Sequence, residues 1–399
     1  MNAEPDRHDK ELLVVSNAPV RPIGDEAVID KKFVAGMTRY EALWGGPIRC
    51  AMRARPDADP PFSATFSADS LPFRLVPVAG DGPFPPDLLD GASIVLAGAD
   101  GHAQFDISRQ CRARNIPCVY IIENTLETRL SIAWLEDRPL LARLKTMVWL
   151  ITAEPRRRRA LALANGIQAN GAPAAKRYGG LSDDVLAFFG TRMSEAAIPT
   201  AEALEARLAG LETDRPLRLA FSGRLDPIKG VDHLPRLMIR LSAEGIDATL
   251  DLFGTGPLED RLRQEIAQRG LGDRMRLHGA VDFDTELVPF MKSSADLFVC
   301  CHRQSDPSCT YFETLACGVP IAGYANRAFR GILEQADIGW SAPIDGIDAL
   351  ARRIAKARST PGEIARKSRT ALELARPHAF EPTFERRIGQ LQRIADLDP

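Results

Sequence analysis

Short β-branched runs alternate with longer amphipathic or polar stretches along this chain, and the alternation occurs twice. In the first series, residues 11–16 (ELLVVS), 48–52, 73–78, 93–97, 118–122 and 146–152 (TMVWLIT) read as strands, with helices at 30–44 and 104–114. The second series follows a helix at 200–210. Its strands fall at 217–221, 248–253, 275–278, 297–301 and 320–322, and its helices at 231–244, 257–269 and 285–293. Strands spaced by helices predict a parallel sheet covered on both faces. Two series predict two doubly wound α/β domains, and 399 residues are too many for one ordinary core. The boundary falls between residues 175 and 200, giving a first domain over 1–190 and a second over 191–376. Pro377 and Pro382 punctuate the approach to a last helix, within 377–399, that returns to brace the first domain.

Composition narrows the functional classes. A net charge of −2 gives no electrostatic reason to expect nucleic acid. No apolar stretch approaches the roughly 18–20 residues that span a bilayer. The N-terminal MNAEPDRHDKELL is polar and mixed in charge, unlike a signal peptide. The seven cysteines form no Cys-x-x-Cys pair and keep no His cluster for company, so a reducing, cytoplasmic setting is expected. Neither domain opens with a strand-linked Gly-x-Gly-x-x-Gly, which argues against a nicotinamide dehydrogenase.

Three stretches of the second domain carry chemistry. In LRLAFSGRLDPIKG a strand runs into Gly223, and Arg224 and Lys229 flank a loop closed by Gly230 before a helix. A forked guanidinium and a point-charge ammonium beside a helix start make a diphosphate clamp; the plainer reading is a solvated loop with two surface cations. In LFGTGP, Gly254 and Gly256 sit between a strand and a helix, where a backbone must approach closely or simply turn. In CCHRQSDPSCTYFETLACGVPIAG, Glu313 stands near a helix start, after a loop with Ser305, Asp306, Ser308 and Thr310. Such a carboxylate can answer the helix dipole, or accept hydrogen bonds from a vicinal diol such as a ribose.

In this order and spacing, SGRLDPIKG, LFGTGP, LHGAV, SADLFV and YFETLACGVPIAG resemble the C-terminal half of family 4 glycosyltransferases, retaining enzymes of the GT-B fold. The resemblance implies two Rossmann-like domains facing a central cleft. The second would hold a UDP- or GDP-linked sugar and the first a glycan, lipid-linked or small-molecule acceptor. It implies catalysis without cofactor or metal. Arg224 and Lys229 would stabilise the leaving diphosphate, Glu313 would grip the ribose, and Gly223, Gly254, Val281, His302, Ser308, Cys309 and Thr310 would complete the donor site. The family's Glu-x7-Glu motif lacks its first member here: eight residues before Glu313 stands Ser305, with Asp306 one step out of register. Either could face the donor sugar instead, or the chain could be a non-catalytic sugar-nucleotide binder or partner subunit. An inverting transferase would need a general base from the first domain. Separately, the first domain's candidates for facing the acceptor or sugar are Asn17, Gly24, His102, Glu123 and Asn124, at strand ends and turns. Four consecutive arginines, Arg156 to Arg159, read as a solvated helix face or as a peripheral contact with anionic membrane.

Overall fold

The computed structural model describes residues 10–396, apart from 61, 137, 213, 214, 306 and 361, and the backbone alone at 212. The chain divides into two compact units. One comprises Met1–Arg129, Leu144–Phe188 and Glu381–Pro399; the other comprises Leu130–Arg143 and Phe189–Phe380. The segment Leu130–Arg143 thus groups with the second unit although it interrupts the first in sequence.

The first unit holds strands β1 (Leu12–Ile23), β2 (Glu26–Asp30), β3 (Ile48–Ala54), β4 (Ser63–Ser67), β5 (Arg74–Val78), β6 (Ile94–Gly98), β7 (Cys118–Ile122), β8 (Gly166–Asn170) and β9 (Val185–Phe188). β1 is flanked by β3 and β6, and the parallel series runs β5-β3-β1-β6-β7-β8-β9. β2 and β4 add an antiparallel flap on the far end of β1. The second unit holds β10 (Leu217–Ser222), β11 (Ala248–Phe253), β12 (Met275–Gly279), β13 (Leu297–Cys300), β14 (Ile321–Tyr324) and β15 (Gly339–Ala342). All its pairings are parallel, in the order β12-β11-β10-β13-β14-β15. This is the dinucleotide-fold order, in which the strand sequence reverses direction between β10 and β13. Central strands such as β13 are buried along their whole length, so an unbroken apolar run replaces alternation. The last helix, Phe380–Ile394, packs within the first unit: Gly36 admits the Phe384 ring, and Arg387 and Gln168 exchange hydrogen bonds.

Two expectations fail. Residues 146–152 are not a strand but the middle of a 23-residue helix, Leu140–Ala162. Leu150, Glu154, Arg157 and Leu161 recur at helical spacing on its buried side, while Val148 and Ile151 face solvent. The strand that follows in the sheet is β8, whose GIQAN carries little β-branched signal. Second, the first strand does not end at residue 16. β1 continues to Ile23 and turns at Gly24 (φ 58°) into β2.

Candidate functional site

Ligands of doubly wound sheets bind beyond the carboxyl ends of the strands, where the strand order reverses. In the second unit that place is bounded by the loop after β10, residues 222–230, and the loop after β13, residues 301–309. Backbone packing brings the β10 loop against the β11 loop. A Cβ on Gly254 would stand 2.0 Å from the Gly223 carbonyl oxygen, so only glycine permits the approach. Leu225 N–H donates to the Thr255 carbonyl at 2.9 Å, and Leu258 N–H to that of Leu225 at 3.0 Å. Gly254 therefore serves loop-on-loop packing.

The Lys229 turn is built in the same way. Asp226 caps it, its Oδ1 accepting the Lys229 N–H at 2.9 Å. Gly230, with φ 67°, lies where a Cβ would come within 2.1 Å of the Cys301 carbonyl. Lys229 is consequently 8% exposed, although the turn is polar. Arg224 differs: its side chain is 67% exposed and pairs with Asp226 at 3.0 Å. The two clamp residues are therefore unequal, one held in the fold and one reaching from its surface.

Arg303 locks this turn, and its motif gave no hint of it. It forks onto Asp232 at 2.8 Å through two nitrogens, reaches Asp345 at 2.8 Å, and donates to the Pro227 carbonyl. Its backbone N–H donates to Ile228 at 2.9 Å. Burial works against the guanidinium's charge, but the bonds to Asp232 and Asp345 hold its pKa above the ordinary value. Burial likewise opposes the Asp232 charge, and Arg303 outweighs it, keeping that carboxyl below its usual range.

His302 follows β13 and is fully buried. Its carbonyl accepts from the Asn326 amide at 3.1 Å, yet neither ring nitrogen has a hydrogen-bond partner among the described residues. Burial, and then the charge of Lys229, push its pKa well below the ordinary histidine value, so the ring is neutral. An unsatisfied buried imidazole beside a cation is costly unless an ordered water or a ligand supplies the partner.

Glu313 lies on the helix Thr310–Leu315 and is buried. Both oxygens meet Arg192, at 2.8 and 3.3 Å, and the Arg192 guanidinium stacks 3.8 Å over the Phe283 ring. Burial opposes the Arg192 charge, but hydrogen bonding and the charge of Glu313 raise its pKa overall. Arg192 had no sequence signal, because it lies outside the regular elements and 121 residues from its partner. The carboxylate thus has a companion, but a cation from elsewhere in the unit.

The remaining donor candidates occupy the same loops. Ser305 Oγ accepts the Arg327 N–H at 3.0 Å and so helps start the helix Arg327–Leu333. Ser308 and Cys309 turn the chain into the Glu313 helix, their carbonyls accepting from Tyr311 and Glu313, and Thr310 opens it. Val281 is half-buried after β12. Asp306 lies outside the described residues. Asp296, in the SADLFV stretch, is structural: it accepts the Arg218 N–H at 2.9 Å and both Arg215 nitrogens, tying β10 to β13.

In the first unit Asn17, midway along β1, stands near His102, Glu123 and Asn124, which follow the carboxyl ends of β6 and β7. Gly101 packs on the Asn17 amide, and Asp100 accepts the N–H groups of Glu123 and Asn124 at 2.8 and 3.2 Å. His102 is exposed and meets the Trp149 ring edge-on at 5.2 Å. Gly24 stands apart, in the β1–β2 turn. The four arginines are not one solvated face. Arg157 is buried, donating to the Asn124 carbonyl and lying 3.6 Å from Glu154 and 3.4 Å from Asp100.

Residues 205–373 match the family model of glycosyl transferases group 1. Among curated proteins, the chain is 26% identical over 137 residues to the GtfA subunit of a UDP-N-acetylglucosamine–peptide N-acetylglucosaminyltransferase from Streptococcus gordonii. That match covers 33% of this chain and 26% of the relative. It is 31% identical over 133 residues to a phosphatidyl-myo-inositol mannosyltransferase from Mycolicibacterium smegmatis, covering 33% of each. The chain thus matches about a quarter to a third of these relatives' lengths. Among solved structures, Anabaena HepE in complex with UDP covers 96% of this chain and 99% of its own, with TM-score 0.65 at 14% identity. Residues 205–373 are a glycosyl transferases group 1 domain, and the chain that carries them has the two-domain GT-B fold.

Proposed function

We propose that this chain transfers a sugar from a nucleoside-diphosphate sugar to an acceptor, with the donor bound at the switch point of the second sheet. The observation that carries this reading is the neutral, buried and unsatisfied His302 ring beside the buried Lys229, where the strand order reverses. A phosphate or sugar oxygen there would satisfy the imidazole, and Lys229 would meet charge growing on the leaving diphosphate as the glycosidic bond breaks. Arg224, exposed and tethered by Asp226, closes over the same phosphates. Each Glu313 oxygen has lone pairs beyond those Arg192 uses, so the carboxylate accepts the ribose hydroxyls while Arg192 keeps it oriented. The protein cations do the work a metal would otherwise do, and configuration is retained through same-face attack assisted by the leaving phosphate. The acceptor is taken by the first unit, near Asn17, His102, Glu123 and Asn124.

Calorimetry with UDP and GDP, followed by release of the nucleotide from a panel of its sugars, tests the reading. One nucleotide should bind, and its release should quicken when an acceptor is added. Absence of binding by both nucleotides would overturn the proposal.

A further inference from the structure

The helix Leu140–Ala162 presents an unusual outer face over residues 144–162, the part that belongs to the first unit. Leu144, Val148 and Ile151, spaced by four and three, are 43%, 61% and 51% exposed, and Trp149 beside them is exposed too. Residues at this spacing share one side of a helix, so they form a continuous apolar stripe. The opposite side, with Leu150, Glu154, Arg157, Ala160 and Leu161, is buried in the unit's core.

Charge on this stretch has one sign. Its only carboxylate, Glu154, is buried and engaged by Arg157 and by the Tyr178 hydroxyl at 2.9 Å. That leaves Lys145, Arg156 and Arg159 exposed and Arg158 half-buried, with no acid exposed on the helix. The neighbouring Asp106 lies between Arg156, at 3.5 Å, and Arg109, at 3.7 Å, so it is outnumbered. The helix is not built to span: no helix among the described residues is long and apolar enough to cross a membrane. From Leu144 to Arg159 it extends roughly 22 Å, the form of a helix lying in an interface with apolar side chains inserted and cations at headgroup level. A two-fold partner copy would set this cationic face against itself, whereas an anionic bilayer complements it in charge and in apolar character.

We infer that residues 144–162 dock the protein onto an anionic lipid surface, with Leu144, Val148 and Ile151 inserted and Lys145 and Arg159 on the headgroups.

The test is flotation of the full chain with vesicles of phosphatidylcholine alone and of equal parts phosphatidylcholine and phosphatidylglycerol. The wild type should float with the mixed vesicles, less so at high salt, and its Trp149 emission should shift to the blue, a shift lost in Trp149→Phe. The Leu144→Ser/Val148→Ser/Ile151→Ser variant should partition at least about tenfold less, with its melting temperature and UDP affinity unchanged, since these side chains face solvent. Failure to float overturns the inference, as does unchanged flotation of the triple variant. So does concentration-dependent self-association in sedimentation velocity that the triple variant abolishes. Calorimetry with UDP on the same preparation reports on the donor site separately, so either reading can fail alone.

Discussion

The two sheets of this molecule reverse strand order in the same way, yet the loops at their reversal points are built differently. In the second unit three loops interlock: Gly254 against Gly223, Gly230 against Cys301, and Arg303 across Asp232, Asp345 and Pro227. In the first, Asp100 gathers Glu123 and Asn124 and the buried Arg157 holds the Asn124 carbonyl, while His102 and Asn17 stay exposed. A rigid site suits a ligand whose diphosphate and ribose recur in every donor. An exposed one suits a partner of more varied shape. On the function proposed above, that difference assigns the diphosphate and ribose to the second unit.

Substitutions in the two sets of loops should differ in cost accordingly. The largest effect is expected from Gly254→Val, which drives a side chain into the Gly223 carbonyl and should cost roughly 3 kcal/mol or more, read as a fall in melting temperature. Gly24→Ala in the first unit, at φ 58° with nothing within 4 Å, should cost only about 1 kcal/mol. If the two variants melted alike, the interlocked loops would not be what stabilises the second unit's site. Next, Arg303→Leu should weaken UDP about tenfold by loosening the Lys229 turn, although Arg303 lies behind that turn. An unchanged affinity would show that the turn holds its shape without the lock. Arg224→Ala should cost less, about two- to fivefold, because its side chain is 67% exposed and already shared with Asp226. An effect matching that of Lys229→Ala would remove the asymmetry argued for the clamp.

The smallest effect concerns pH. His302 titrates lower in the folded chain than its ordinary value, by burial and by Lys229, and His233 is lowered too, by burial and Arg303. The unfolded chain therefore binds more protons below about pH 6.5, so the stability these rings contribute is complete above that value and is lost as pH falls. Melting temperature should decline between neutral and mildly acidic pH, with a shallower slope in His302→Gln. A slope that steepened in the variant would contradict the buried, neutral ring.

Much of the second unit was legible because its signal is local. Buried parallel strands are continuous apolar runs, and the Gly223, Gly230 and Gly254 turns sit at their ends. Strands such as β11 were readable to the residue for that reason. What eluded the sequence was long-range pairing. Nothing near Glu313 announces Arg192, and nothing in HRQSDP shows that Arg303 folds back on Asp232 and Asp345. The first unit misled where composition was ambiguous. TMVWLIT suits a strand by propensity, yet its continuation supplies the 3.6-residue rhythm of a helix, and the exposed side of that helix is apolar. An apolar stripe facing solvent cannot be told from a buried one by pattern alone.

On the function proposed above, the donor's diphosphate is held by the braced turn of the second unit and not by the strand ends of the first. Calorimetry of UDP binding to Lys229→Ala and to Asp100→Asn, side by side with the wild type, tests it most directly. Affinity should fall about 100-fold in the first, corresponding to a charge-assisted contact of roughly 2–3 kcal/mol, and stay at the wild-type value in the second. Wild-type affinity in Lys229→Ala, with both variants folded, would contradict it.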